Sequence, residues 1–301
     1  MGAILDRRNK VGFIGVGIMG KSMVRNLMKA GFELHIYART KSKVEDVIGE
    51  GAQFHESIKD CVQDCDAVIT IVGFPQDVEE VYFDEGNILD SAKKGAYLID
   101  MTTTSPQIAE KIYAEGTKRG FHVMDAPVTG GDTGAKAGTL SILVGGEKED
   151  YEACMPLFEA MGTNINYQGK AGCGQHCKLA NQIMIAGTLS GVCEALTYAK
   201  EQGLDPEVFM KSVATGAAGS KQLDTFGPKI LKDDYAPGFF MKHFIKDMKL
   251  ALIEANRKGL SLDVLSMVLA NYEELEQEGY GDLGTQALMK FYDEEHRNTE
   301  E

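Results

Sequence analysis

Residues 11–20 read Val11-Gly12-Phe13-Ile14-Gly15-Val16-Gly17-Ile18-Met19-Gly20. An apolar run ends at Ile14, three glycines follow in a G-x-G-x-x-G spacing, and Lys21–Lys29 continues with helical periodicity. This is the pattern of a strand, a tight turn and a helix. Gly15 permits the turn, Gly17 lets a ligand approach the backbone, and Gly20 lets the helix pack close to the strand. The N–H groups opening such a helix face an anion. Gly15, Val16, Gly17, Ile18, Met19 and Gly20 are therefore expected to cradle the pyrophosphate of a dinucleotide. With 34 glycines in the chain the spacing alone is weak. Its position at the first strand of an alternating series gives it weight.

That series runs outward from the motif. Val11–Ile14, Glu33–Tyr37, Ala67–Val72, Tyr97–Ile99 and His122–Met124 read as strands, and segments such as Pro106–Arg119 between them as helices. Alternation of this kind predicts a mostly parallel, doubly wound sheet with right-handed crossovers, an α/β Rossmann-type fold. Thr139–Val144 is β-rich, so the sheet should extend beyond five strands. Near Gly172 the strand signals fade. Cys177–Lys200 is apolar on several sides and reads as a helix buried all round. Pro206–Thr215, Lys242–Lys258, Asp263–Glu278 and Thr285–Asp293 read as further helices, and the charged tail from Asp293 as a fraying end. The expected organisation is a dinucleotide-binding domain over residues 1–171 and an all-α domain over residues 172–301, joined by a short hinge at Gly169–Gly174.

Composition narrows the classes. The chain has 301 residues, 31 Lys+Arg against 45 Asp+Glu, and a formal charge of −14. An apolar share of 44% with 25% charged residues fits a globular core and excludes disorder. The acidic balance argues against nucleic acid and anionic membranes as partners. The longest uncharged stretch, Leu179–Cys193, carries Asn181, Gln182, Thr188 and Ser190, which argues against a membrane span. Arg7-Arg8 before an apolar run resembles a twin-arginine signal, but the glycine motif accounts for that run. Six cysteines in a chain this long read as free thiols, and a cytoplasmic location is expected. Cys173, His176 and Cys177 lack a fourth donor at metal-ligand spacing, since Cys61 and Cys65 lie far away in sequence. No metal is expected, and a redox-sensitive thiol is the lesser reading. His122 and His243 show no evident partner for acid–base work.

An NAD site usually carries Asp or Glu at the end of the second strand, where it binds the ribose 2′-OH. Here that strand ends Tyr37-Ala38-Arg39-Thr40-Lys41. Arg39, Thr40 and Lys41 can meet a 2′-phosphate, so NADP(H) is the expected cofactor and NAD(H) the alternative. The competing interpretation is a solvated basic turn that selects neither.

Four ordered motifs span nearly the whole chain: Gly12–Gly20, Asp125–Gly131 continuing to Gly138–Leu140, Gly172–Gln182 (GCGQHCKLANQ), and Phe239–Asp247. With these the chain resembles the β-hydroxyacid dehydrogenase family, which includes 3-hydroxyisobutyrate dehydrogenase, tartronate semialdehyde reductase and glyoxylate/succinic semialdehyde reductases. The resemblance implies an NAD(P)-dependent oxidoreductase acting on a small carboxylic acid in a cleft between the domains. It makes Lys178 the proton donor or acceptor, a task that needs its pKa lowered from about 10.4 by desolvation. It assigns Thr129, Gly130 and Gly131 to the substrate carboxylate, and Thr103 to a place between cofactor and substrate. Thr129 stands where relatives commonly have Ser. The same resemblance puts Asn181, Gln182, Phe239 and Asp247 at the substrate, and Val72 and Lys246 at the cofactor. Independently of the resemblance, the apolar Cys177–Lys200 helix suggests more burial than one small helical domain provides, so a homodimer or homotetramer is expected. Near the C-terminus relatives often show G-x-G-x-x-D, whereas this chain has Gly284 in place of the acid, which puts the local subunit contacts in doubt. The alternatives are an imine reductase-like enzyme, which Lys178 argues against, a 6-phosphogluconate dehydrogenase, for which the helical domain is too short, and a non-catalytic NADP-binding sensor.

Overall fold

A computed structural model describes residues 4–292, and the tail expected from Asp293 lies outside them. The chain divides by compactness into two units, residues 1–178 and 179–301.

The first unit is built on a nine-stranded sheet. Its strands are β1 Lys10–Ile14, β2 Glu33–Tyr37, β3 Gln53–Phe54, β4 Ala67–Thr70, β5 Tyr97–Asp100, β6 His122–Asp125, β7 Val128–Thr129, β8 Leu140–Gly146 and β9 Gly162–Gly169. They are ordered β3-β2-β1-β4-β5-β6-β8-β7, with β9 paired to β8. The first six are parallel, β8 runs antiparallel to β6 and β7, and β9 is parallel to β8. Strand order reverses at β1, with β2 on one side and β4 on the other. Ligands of doubly wound sheets bind outside the carboxyl ends at this point.

Period-2 alternation splits the apolar residues of the sheet into two cores. Val11, Phe13, Leu34, Ile36, Ala67, Ile69, Ile99 and Met124 pack on one face. Ile14, Val68, Leu98 and Val123 pack on the other with Ile58, Val78, Tyr82 and Ile112. Continuing the alternation, Thr70, Asp100 and Asp125 share the face of Ile14 at the carboxyl ends, and they lie opposite one another in register.

The second unit is helical. The later part of the helix Cys173–Glu201 packs with Pro206–Val213, Lys221–Ile230, Met241–Arg257 and Asp263–Gln277 around Leu189, Leu196, Phe244, Met248, Val268 and Tyr272. Two 3₁₀ turns, Tyr280–Asp282 and Thr285–Tyr292, close it.

Two expectations need correction here. The helix Cys173–Glu201 is not buried all round: Leu179, Ala186, Leu189, Val192, Cys193 and Leu196 form a buried stripe, while Met184 and Tyr198 are 73% and 67% exposed. By length and composition alone it could cross a membrane, yet its apolar stripe is committed to the core of this unit. The helix Lys221–Ile230 went unread because Gly227 and Pro228 lie inside it. Such residues normally signal a break.

Candidate functional site

The glycine loop meets steric demands set by the chain itself. Gly15 has φ of +97°, and a Cβ there would lie 2.0 Å from the Ile71 carbonyl oxygen. A Cβ on Gly20 would lie 2.2 Å from the Gly15 carbonyl oxygen. Gly17 differs, since a Cβ there would meet nothing within 4 Å. It is the N-cap of the helix Ile18–Ala30, where among the described residues no side chain caps the first turn and no acidic residue stands in it. Open space before uncapped N–H groups fits a pyrophosphate.

At the end of β2, the Arg39 side chain is 71% exposed and its Nη1 lies 3.2 Å from Oδ1 of Asp77. Lys41 lies 3.3 Å from Glu56 and 5.0 Å from the centre of the Phe54 ring. Asp77 stands in the helix Pro75–Phe83 that follows β4. Because β1 separates β2 from β4, the Arg39–Asp77 pair spans the end of β1. The sequence pattern of β2 gave no hint of Asp77.

The turn after β5 carries Thr103. Asp100 beneath it is 2% exposed and accepts on Oδ1 from the Thr70 hydroxyl at 2.8 Å and the Thr102 N–H at 3.1 Å. Burial pushes its carboxyl up to about 6, against the pull of those bonds. Val72, expected at the cofactor, donates its N–H to the Thr102 hydroxyl at 3.0 Å. Gln175, fully buried, brackets Thr103. Its Nε2 donates to the Thr102 carbonyl at 2.7 Å, and its Oε1 accepts from the Thr104 N–H at 3.0 Å. Lys178, 7% exposed, follows three residues later on the same helix face. Thr129 ends β7, and Gly130 and Gly131 follow with φ of +130° and +65°.

In the second unit Asn181 Nδ2 donates to Gln182 Oε1 at 2.7 Å, and Gln182 Nε2 donates to Asp247 Oδ2 at 2.7 Å. Lys246 Nζ lies 3.0 Å from the other oxygen of Asp247, which has no exposed surface. The Gln182 amide is thus engaged with its neighbours at both ends. Phe239 stacks on His243 and meets Phe244 edge-on.

Gly284 has a local explanation. A Cβ there would fall 2.3 Å from Gln286 Oε1. Gln286 is fully buried and donates to the carbonyls of Asp234 and Ala236 at 2.9 and 3.2 Å. Its amide occupies the space an acid at 284 would need.

Other expectations change. His122 does have a partner: its Nδ1 lies 2.7 Å from Asp150 Oδ1, and its ring stacks on Tyr97. Burial pushes the Cys177 thiol up, away from the thiolate that redox reactivity needs. Among the described residues no group of three or more His, Cys, Asp or Glu could hold a metal ion.

Two family models cover the chain. One describes the NAD-binding domain of 6-phosphogluconate dehydrogenase and matches residues 10–169. The other describes the NAD-binding region of NADP-dependent 3-hydroxyisobutyrate dehydrogenase and matches residues 172–292. An uncharacterized oxidoreductase of Bacillus subtilis is 48% identical over 95% of this chain and 99% of its own. An NAD-dependent L-serine dehydrogenase of Pseudomonas aeruginosa is 34% identical over 94% of this chain and 98% of its own. The structure of a Mycobacterium tuberculosis 3-hydroxyisobutyrate dehydrogenase with L-serine superposes with a TM-score of 0.86 at 26% identity, covering 94% of this chain and 98% of that one. The Rossmann-type sheet with its glycine cradle and the two family matches define an NAD(P)-dependent oxidoreductase, and the named relatives place it among those that act on a hydroxyl-bearing carbon. The chain belongs to the β-hydroxyacid dehydrogenase family.

Proposed function

We propose that the protein interconverts a short hydroxy acid and the matching carbonyl acid, a β-hydroxy acid with its semialdehyde or a 2-hydroxy acid with its 2-oxo acid, with Lys178 as the proton donor and acceptor and NADP(H) as the preferred cofactor. The bound nicotinamide supplies or accepts the hydride at the carbinol carbon. Lys178 Nζ gives a proton to the carbonyl oxygen during reduction and takes it back from the hydroxyl during oxidation. Thr129, Gly130 and Gly131 hold the carboxylate through the hydroxyl and backbone N–H groups, which fixes the reacting carbon. Thr103 stands between cofactor and substrate. Asn181 offers its amide to the substrate, and Gln182 does so from within the bonded series that ends at Asp247. Phe239 is assigned to the substrate and Lys246 to the cofactor. Arg39, Thr40 and Lys41 meet the 2′-phosphate.

The observation that carries this reading is Lys178 itself, a lysine 7% exposed in the second turn of its helix. Burying an ammonium is costly, and a functional role is a sufficient reason to keep one. The L-serine in the related structure and in the relative's activity supports a three-carbon acid bearing a 3-hydroxyl. Lys178 stands against the imine-reductase alternative.

Nicotinamide absorbance is the test, with NADPH and NADH each offered against a panel of semialdehydes, and the oxidised forms against L-serine and 3-hydroxyisobutyrate. Lys178→Ala should lose about 10²–10⁴ in turnover while cofactor binding persists. Undiminished turnover in that variant removes Lys178 from the mechanism. Faster turnover with the NAD pair keeps the reaction and reverses the cofactor assignment.

A further inference from the structure

Lys178 sits on a helix whose start is held in an unusual way. The first helical N–H groups are normally satisfied by a side chain just before the helix. Here the acceptor comes from a distant strand. Asp125, the last residue of β6, takes the Gly172 N–H on Oδ1 at 2.7 Å and the Gln175 N–H on Oδ2 at 2.8 Å. The approach is close enough that a Cβ on Gly174 would fall 2.3 Å from the Leu143 carbonyl oxygen and 2.8 Å from Asp125. Asp125 is 3% exposed, and burial pushes its carboxyl up while the two N–H bonds and nearby His176 pull it down.

The second connection runs through the Gln175 side chain. Its two bonds clamp the peptides on either side of Thr103, as the edge of a neighbouring strand would. One residue therefore ties the helix start to the Asp125 carboxylate by its backbone and to the Thr103 turn by its amide. Lys178 stands three positions further on, so both side chains leave the same face of the helix.

We infer that Gln175, anchored by Asp125, is a positioning residue that sets Lys178 against the Thr103 turn and acts on the reaction only through Lys178. The inference rests on the proposed role of Lys178. Removing the amide leaves the Thr102 carbonyl and Thr104 N–H without their partner and frees the turn and the helix start to shift independently. A displacement of about 1 Å at a reacting group can cost about a hundredfold in rate.

A double-mutant cycle on the full chain tests this. In the wild-type background, Gln175→Ala should lower kcat by about 10- to 100-fold with the dissociation constant for the cofactor within about twofold. In the Lys178→Ala background, the same change should alter the residual rate by less than about twofold. Gln175→Met keeps the volume, adds no charge and loses both bonds, so its kcat should fall as that of Gln175→Ala does. Should Gln175→Ala fail to fold, as shown by its circular dichroism melt, Gln175→Met carries the cycle. Equal losses in both backgrounds overturn the inference while leaving Lys178 in place. A loss of cofactor affinity parallel to the loss of kcat also overturns it, because it marks a purely structural role. Full activity of Lys178→Ala alone removes the proposed chemistry, and the inference falls with it.

Discussion

Asp100 lies buried at the carboxyl end of β5, and one of its oxygens, Oδ2, accepts no hydrogen bond among the described residues. Its carboxyl is raised from 3.8 to about 6, chiefly by burial. The folded chain therefore holds this proton to a higher pH than the unfolded chain does. The linked stability is fully present below 3.8, is lost as pH rises toward about 6, and stays lost above it. The change is on the order of 3 kcal/mol. Asp100→Asn cannot ionise and should lack that decline, so urea midpoints between pH 4 and 7 should be flatter than in wild type. The same pH slope in both proteins would exclude Asp100 as its source. Sequence reading named Thr103 in this turn but not Asp100 or Gln175. Their importance arises from register and burial, which bring residues 70, 100, 102, 125 and 175 together across the sheet ends.

At the scale of elements, the legible parts were those with strong local signals. The glycine loop and the Glu33–Tyr37 strand stand where periodicity put them. Strand β9 was missed because its sequence, GTNINYQG, is polar and largely exposed, and β3 because it has only two residues. The Gly284 departure is a packing matter that no single position reveals. The backbone of Leu283–Thr285 bonds to Tyr235, Phe239 and Met241, while Gln286 bonds to the carbonyls of Asp234 and Ala236. These contacts brace the segment leading to Phe239. Gly284→Asp should destabilise the fold by about 1–3 kcal/mol through overpacking against Gln286. Shortening the neighbour, as in Gly284→Asp with Gln286→Ser, should recover part of that loss in thermal melts. With Gln286→Ser alone completing the cycle, losses that simply add would show that the two positions are uncoupled.

The whole molecule carries 14 more formal negative than positive charges, yet its expected ligand is a polyanion. The glycine cradle answers this with backbone dipoles, and the basic turn after β2 with cations that already have partners. Fold class and cofactor class were legible because both follow from a pattern repeated along the first half of the chain. Cofactor preference was less so, since Asp77, which only strand order brings to Arg39, pairs with the side chain proposed to meet a 2′-phosphate. That pairing has a consequence for ionic strength. Asp77 is a built-in counter-ion, so a 2′-phosphate reaching Arg39 exchanges one ion pair for another and creates little new pairing. Added salt weakens the pair lost as well as the pair gained. NADPH affinity in wild type should thus fall only shallowly with salt. In Asp77→Asn the guanidinium lacks its resident anion, and the same titration should fall more steeply. Matching slopes would mean that the phosphate does not compete with Asp77 for Arg39.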